Sequence, residues 1–268
     1  MRTIPFYKMV ASGNDFIVID NRRGLVKNPA LFAKTHCPNH TAVGADGLLL
    51  LEKSSRGAFK MRIVNADGSE AEACGNGFRC IALYARQVLK LPAEFNFESL
   101  SGKIRAKIHS DRVAVGLIEP FGLKKRGELQ VMGHRLHYSF LNTGVPHAVI
   151  FVQGIEKVDV ESLGRSVRRH SVFGAKGTNV NFVEVKGPHE IRVRTYERGV
   201  EAETLACGTG ATASAILSAV MGYVDRPVKV HTRGGEKLVV DFQLRGEKIT
   251  GVTLEGEARF VYEGKLCV

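Results

Sequence analysis

The sequence predicts an α+β protein of two pseudo-symmetric domains, each a mostly antiparallel sheet wrapped around a central helix, with the active site in the cleft between them. Three observations lead there. A cysteine-centred segment occurs twice, 133 positions apart in a chain of 268 residues. Each copy opens a run of helix-forming residues. Short segments that alternate with period two fill much of the remainder, as half-buried strands do.

The two copies are Glu70-Ala-Glu-Ala-Cys74-Gly-Asn-Gly77 and Glu201-Ala-Glu-Thr-Leu-Ala-Cys207-Gly-Thr-Gly210. Read this way, the second carries two extra residues between its acidic lead-in and its Ala-Cys-Gly-x-Gly. In chain order, Asp15–Asp20 reads as a strand, Pro29–Thr35 as a helix and Phe59–Asn65 as a strand. Behind Cys74 a helix runs to Lys90 and stops before Pro92. Lys103–His109 and Arg112–Ile118 form a hairpin around Ser110-Asp111. A boundary near Pro120-Phe-Gly122 gives one domain of residues 1–119 and a second of 120–257. His147–Val152, Thr178–Val185 and Glu190–Tyr196 read as strands, and Val160–Arg169 as a helix. The segment Thr209–Tyr223 has no charged residue, so a helix there is buried on all sides. The C-terminal segment 258–268 is a candidate to return to the first domain.

Composition narrows the function classes. Hydrophobic content of 44% and charged content of 24% are those of an ordinary globular chain with a substantial core. No apolar run approaches the ~20 residues of a membrane span, and the N-terminus has no signal-peptide pattern; a cytoplasmic location and no membrane partner are expected. The net charge of +11 raises the nucleic-acid question. The basic residues are scattered, Trp is absent, and no aromatic residues interleave the basic groups, so no nucleic-acid partner is expected. The oligomeric state is not fixed, and a homodimer is compatible with the sequence. The five cysteines are widely spaced with no C-x-x-C pair, which argues against structural zinc and a disulfide framework.

Cys74 and Cys207 each stand where a helix begins. The first N–H groups of a helix have no internal partner and carry partial positive charge. Such a terminus binds a carboxylate and favours a thiolate, so a lowered thiol pKa is expected at both cysteines. Gly75, Asn76, Gly208 and Thr209 would bring backbone N–H groups to the ligand. Two such sites suggest a reaction in which one α-proton leaves from one face of a carbon and another is delivered to the opposite face, which needs a base and an acid on opposite sides. No cofactor and no metal are expected. Cys37, Cys80 and Cys267 read as ordinary packed thiols.

Over its whole length the sequence resembles the diaminopimelate epimerase family. The resemblance rests on Phe6-Tyr-Lys-Met-Val-Ala-Ser-Gly-Asn14-Asp-Phe, on Gly44-Ala-Asp-Gly47, on Asn65-Ala-Asp-Gly-Ser-Glu-Ala-Glu-Ala-Cys74-Gly-Asn-Gly-Phe-Arg79-Cys, on Gly177-Thr-Asn179-Val-Asn and on Tyr196-Glu-Arg198-Gly-Val-Glu-Ala-Glu-Thr-Leu-Ala-Cys207-Gly-Thr-Gly. It implies cofactor-independent interconversion of LL- and meso-diaminopimelate, on the route to lysine and peptidoglycan, with Cys74 and Cys207 as the acid–base pair. It further implies substrate contacts from Asn14, Asn65, Gly75, Asn76, Asn179, Glu197, Arg198, Gly208 and Thr209, and tuning of a catalytic thiol by His147 and Glu197. An epimerase or racemase for proline, hydroxyproline or histidine is the alternative. The chain departs from the family pattern at Val145, where many relatives have Asn, and at Gly47, where some have Gln.

Overall fold

A computed structural model describes residues 3–267; Met1, Arg2 and Val268 lie outside the described residues. The chain divides into two compact units, one of residues 1–116 with 256–268 and one of 117–255. No helix of the described residues is long and apolar enough to cross a membrane.

The first unit contains β1 (Thr3–Ala11), β2 (Asn14–Asp20), α1 (Pro29–His36), β3 (Gly47–Glu52), β4 (Lys60–Asn65), β5 (Glu70–Ala71), α2 (Gly75–Gln87), β6 (Glu94–Ser99), β7 (Gly102–His109) and β8 (Arg112–Gly116). The second contains β9 (Phe121–Val131), β10 (His134–Asn142), β11 (Pro146–Phe151), α3 (Val160–Arg168), β12 (Asn179–Gly187), β13 (Glu190–Glu197), β14 (Ala202–Thr204), α4 (Gly208–Val220), β15 (Val228–His231), β16 (Lys237–Arg245) and β17 (Lys248–Glu257). A last strand, β18 (Arg259–Cys267), lies antiparallel to β1.

The two units repeat one topology. In the first, β1 and β2 are antiparallel, β2 and β3 parallel, β3 and β4 antiparallel. β4 then pairs with β5 on the way out and runs parallel to β6, which leads through antiparallel β7 to β8. The second gives the same series with β10, β11, β12, β13, β14, β15, β16 and β17. The sheets are therefore mixed rather than uniformly antiparallel. Each parallel pair is bridged by a helix, α1 or α2 in one unit and α3 or α4 in the other, because parallel neighbours need a crossover.

Helices on both faces explain the burial of the central strands. Leu48 and Leu50 of β3 pack with α1 residue Ala33, and β12 residues Val180 and Phe182 pack with Val160 and Val167 of α3. On the opposite face of β12, Val183 joins Ala211, Ala215 and Ile216 of α4. α4 is buried from Gly210 to Ser218, in keeping with its uncharged sequence. α2 is buried from Asn76 to Ala85, including Cys80 at 0% exposure.

Strand register fixes how the repeat aligns. Arg62 of β4 makes a two-pronged ion pair with Glu70 at 2.7 and 3.0 Å, and Arg194 of β13 makes the same pair with Glu203 at 2.7 Å on both prongs. Val64 faces Glu70, as Tyr196 faces Glu203. Glu203, not Glu201, is thus the counterpart of Glu70, and the spacing from acid to cysteine is equal in the two copies. The length difference lies earlier, in the turn that follows Asn65 or Glu197.

Candidate active site

Cys74 is the N-cap of α2. Its backbone is extended, with φ −152° and ψ 107°, and its sulfur accepts the Gly77 N–H at 3.4 Å. The helix N-terminus is braced by a chain of amides and charges. The Arg79 guanidinium, 0% exposed, donates to Asn76 Oδ1 at 3.0 Å and to the Ser12 hydroxyl. Asn76 Nδ2 donates to Asn14 Oδ1 at 2.6 Å, and Asn14 Nδ2 donates to Asp46 Oδ2 at 2.9 Å. Asp46 and Asp15 exchange backbone-to-carboxylate hydrogen bonds, and Lys8 closes the series on Asp15 at 2.6 Å. Each amide is held in one orientation, because a guanidinium can only donate and a carboxylate only accept. The turn that delivers Asn14 has positive φ at Ser12 (51°) and Gly13 (81°), as a tight hairpin turn between twisted strands requires. Asn65 is exposed at the end of β4, and its amide donates to Ser69 at 2.9 Å rather than joining this chain.

Cys207 is the N-cap of α4, also extended, with φ −125° and ψ 109°. Its sulfur is 3.5 Å from the Thr209 hydroxyl, and the Thr209 carbonyl accepts from Thr143 at 3.2 Å. Glu197, at the end of β13, carries a charge that acts on the thiol. Asn179 accepts the Arg198 N–H at 2.8 Å and donates to the Pro146 carbonyl at 3.1 Å, which ties the Arg198 turn to the start of β11. Glu201 braces the same turn through the Gly199 N–H at 3.1 Å and Arg168 at 2.8 Å.

The electrostatics of Cys207 differ from the expectation of a lowered pKa. Burial, and then the charge of Glu197, push this thiol up to about 12, against the opposing pull of the Thr209 hydroxyl and the N–H groups of Thr209 and Gly210. Helix-terminal N–H groups stabilise a thiolate, but at 8% exposure the loss of water outweighs them. Glu197 itself is raised by burial, partly offset by Thr204.

His147 is the second residue of β11 and is fully buried; burial and the neighbouring Arg198 charge drive its imidazole from 6.5 down to about 3. It is neutral at physiological pH. Below its ordinary pKa the unfolded chain takes up a proton that the folded chain refuses, so stability falls with pH by about 1.4 kcal/mol per unit. Between pH 6.5 and about pH 5, wild type should lose roughly 2 kcal/mol more than His147→Gln, as read from denaturant midpoints. Equal losses would show that the imidazole protonates in the folded state.

Comparisons with known proteins place the chain in a family. The family model described as diaminopimelate epimerase matches residues 6–119 and 139–261, which include both cysteine segments. A diaminopimelate epimerase of Aquifex aeolicus is 45% identical over 278 residues, covering 98% of each chain. The chain belongs to the diaminopimelate epimerase family. A second relative of that name, from a Hydrogenobaculum species, is 42% identical with 97% of each chain covered. The solved structure of a PhzF-family phenazine biosynthesis protein from Bacillus anthracis matches all of both chains with a TM-score of 0.75 at 15% identity, a likeness of fold alone.

Within this diaminopimelate epimerase family member, Asn14, Gly75 and Asn76 gather at the Cys74 helix terminus. Gly208 and Thr209 open the helix behind Cys207, Glu197 acts on its thiol, and Asn179 is hydrogen-bonded to the backbone of Arg198. Among the polar residues to which the sequence alone assigns no role are Asp46, Arg79 and Asn181. All lie inside the segments that carry the family resemblance, but only the contacts show which of them orient the others. Gly47 also has a local reason. A Cβ there would sit 2.9 Å from the Val64 carbonyl oxygen, so this backbone leaves no room for a side chain without a shift.

Proposed function

We propose that this chain interconverts LL- and meso-diaminopimelate without a cofactor, one cysteine removing the α-proton and the other delivering a proton to the opposite face. The observation that carries the reading is the repeated frame: twice, the same strand series delivers a cysteine to the N-cap of a buried 13-residue helix. Full-length identity of 45% to a relative named for this activity supports the substrate.

In this reading Cys207, buried and held well above neutrality, is the acid of the resting enzyme, and Cys74 is the matching base. When the reaction reverses, the two protonation states exchange. The helix N–H groups bind the α-carboxylate and oppose the charge that builds up as the α-carbon flattens. Glu197, close enough for its charge to act on Cys207, tunes that thiol. Arg198 pairs with the carboxylate of the distal amino-acid head. The substrate is thus a small zwitterionic molecule, and the lysine and peptidoglycan route is the setting.

The deciding experiment is solvent-deuterium incorporation into LL-diaminopimelate by the purified protein. Exchange at the α-carbon with conversion to the meso form is expected. Exchange with proline or hydroxyproline but not with diaminopimelate would reassign the substrate. Arg198→Leu is expected to raise KM for diaminopimelate by about 10- to 100-fold, the worth of a charge-assisted hydrogen bond. An unchanged KM would remove Arg198 from the substrate site.

A further inference from the structure

Asn181 lies two residues beyond Asn179 on β12, on the sheet face that meets α4, and is 0% exposed. Its amide is fully used. Nδ2 donates to the Ala148 carbonyl at 3.1 Å, and Oδ1 accepts the Thr195 hydroxyl at 3.0 Å. A carbonyl can only accept, so the amide cannot be turned end for end. The second Nδ2 hydrogen is directed to His147 Nδ1, 3.1 Å away. His147 Nδ1 is therefore the acceptor, and the single proton of the neutral ring sits on Nε2. That Nε2–H is buried and has no hydrogen-bond partner among the described residues.

The duplication shows that the fold does not require these polar groups. In the strand register, His147 pairs with Asn179 as Phe16 pairs with Gly47. Asn181 faces Thr195 as Leu49 faces Ile63. The first unit thus fills the three positions with Phe16, Leu49 and Ile63, all buried. The second fills them with His147, Asn181 and Thr195. Hydrocarbon serves the scaffold there, and a buried donor left without a partner costs about 1–3 kcal/mol. The cluster also adjoins the reacting thiol. A Cβ on Gly210 would lie 2.3 Å from Asn181 Oδ1 and 3.3 Å from Cys207 Sγ.

We infer that Asn181 is a positioning residue that locks His147 into its Nε2–H tautomer, making the imidazole a neutral hydrogen-bond donor to an anion bound or formed during turnover. The acceptor is a substrate carboxylate or the Cys207 thiolate. His147 in this role moves no proton. The assignment rests on the epimerase reading for its catalytic meaning, while the tautomer is a property of the protein alone.

Nitrogen-15 NMR of histidine-labelled, full-length wild type reads the tautomer directly. The expected result is a neutral His147 ring with a protonated Nε2 and a bare Nδ1 across the neutral range. A proton on Nδ1, or an imidazolium, overturns the inference. Two variants test the donor. His147→Gln keeps an N–H near the Nε2 position and loses the acceptor for Asn181; His147→Asn does the reverse. The α-deuterium exchange rate of His147→Gln should exceed that of His147→Asn by about tenfold, the scale of one hydrogen bond to a charged group. The opposite order would assign His147 the structural task of satisfying Asn181 and would overturn the donor role. Absence of exchange in wild type would instead defeat the epimerase reading, and the NMR result would still decide the tautomer.

Discussion

Replacing either Cys74 or Cys207 by alanine is expected to end epimerisation, with turnover falling at least about 10²- to 10⁴-fold, the range of a positioned general acid or base. The two losses should be of similar size, because a proton that leaves one face cannot be replaced on the other without the second group. They should differ from a folding defect. Cys74 is half-buried at the start of its helix, and the Gly77 contact its alanine variant loses is a long one of 3.4 Å. Cys207 is buried and its sulfur lies 3.5 Å from the Thr209 hydroxyl, so its loss leaves a small void and gives up one weak contact. Circular dichroism and melting close to wild type, together with abolished exchange, are the combined expectation. Normal turnover in either variant would remove that cysteine from the proton path.

Gly210→Ala should destabilise the protein by about 2 kcal/mol or more, whereas Gly77→Ala should be close to neutral. The two glycines occupy the same place in the repeat, three residues after each cysteine. Both would gain nearly 1 kcal/mol of helix propensity from alanine. At Gly210 the added methyl would lie 2.3 Å from Asn181 Oδ1, an atom fixed by its own hydrogen bonds, so the backbone must move. At Gly77 the nearest atoms are Leu49 Cδ2 and Met61 Cε, both at 3.2 Å and both the ends of flexible side chains. For a chain of this size 1 kcal/mol corresponds to roughly 2–4 °C in Tm. A calorimetric scan showing equal shifts for the two variants would mean that Asn181 is free to yield.

The α+β class and the two cysteine-led helices were legible because their signals are local. Small and apolar residues follow each Cys-Gly-x-Gly, and Pro92 ends the first run. β3 escapes the alternation rule, since Leu48 to Leu51 are continuously apolar. Such a run has no period of two, and the reason is helices on both of its faces. β9 and β10 escape it too; their charged, solvent-facing residues, such as Lys124 to Arg126, mask the alternation. The equivalence of Glu70 with Glu203 could not be found by matching letters, because it is set by which residue faces β4 or β13. The site followed the same division. Residue types at the helix termini were readable, but the upward shift of the Cys207 thiol depends on burial, which residue type alone does not specify. Asn179 and Asn181 look alike in sequence and share one face of β12; only their partners separate them, the Arg198 turn for Asn179 and the His147 ring for Asn181.

The pairing of β18 with β1 has a consequence for how the chain is made. Thr3 lies opposite Cys267, so the first unit is closed by a strand made only after the whole second unit has been synthesised. The second unit is encoded without interruption and can finish folding earlier. The usual order of synthesis, in which the N-terminal part matures first, is therefore inverted. Thr3 and Cys267, held opposite each other in neighbouring strands, are also a good place to link residues 3–267 into a circle. A new opening in the exposed Met132-Gly133 turn between β9 and β10 would then leave both cysteine helices untouched.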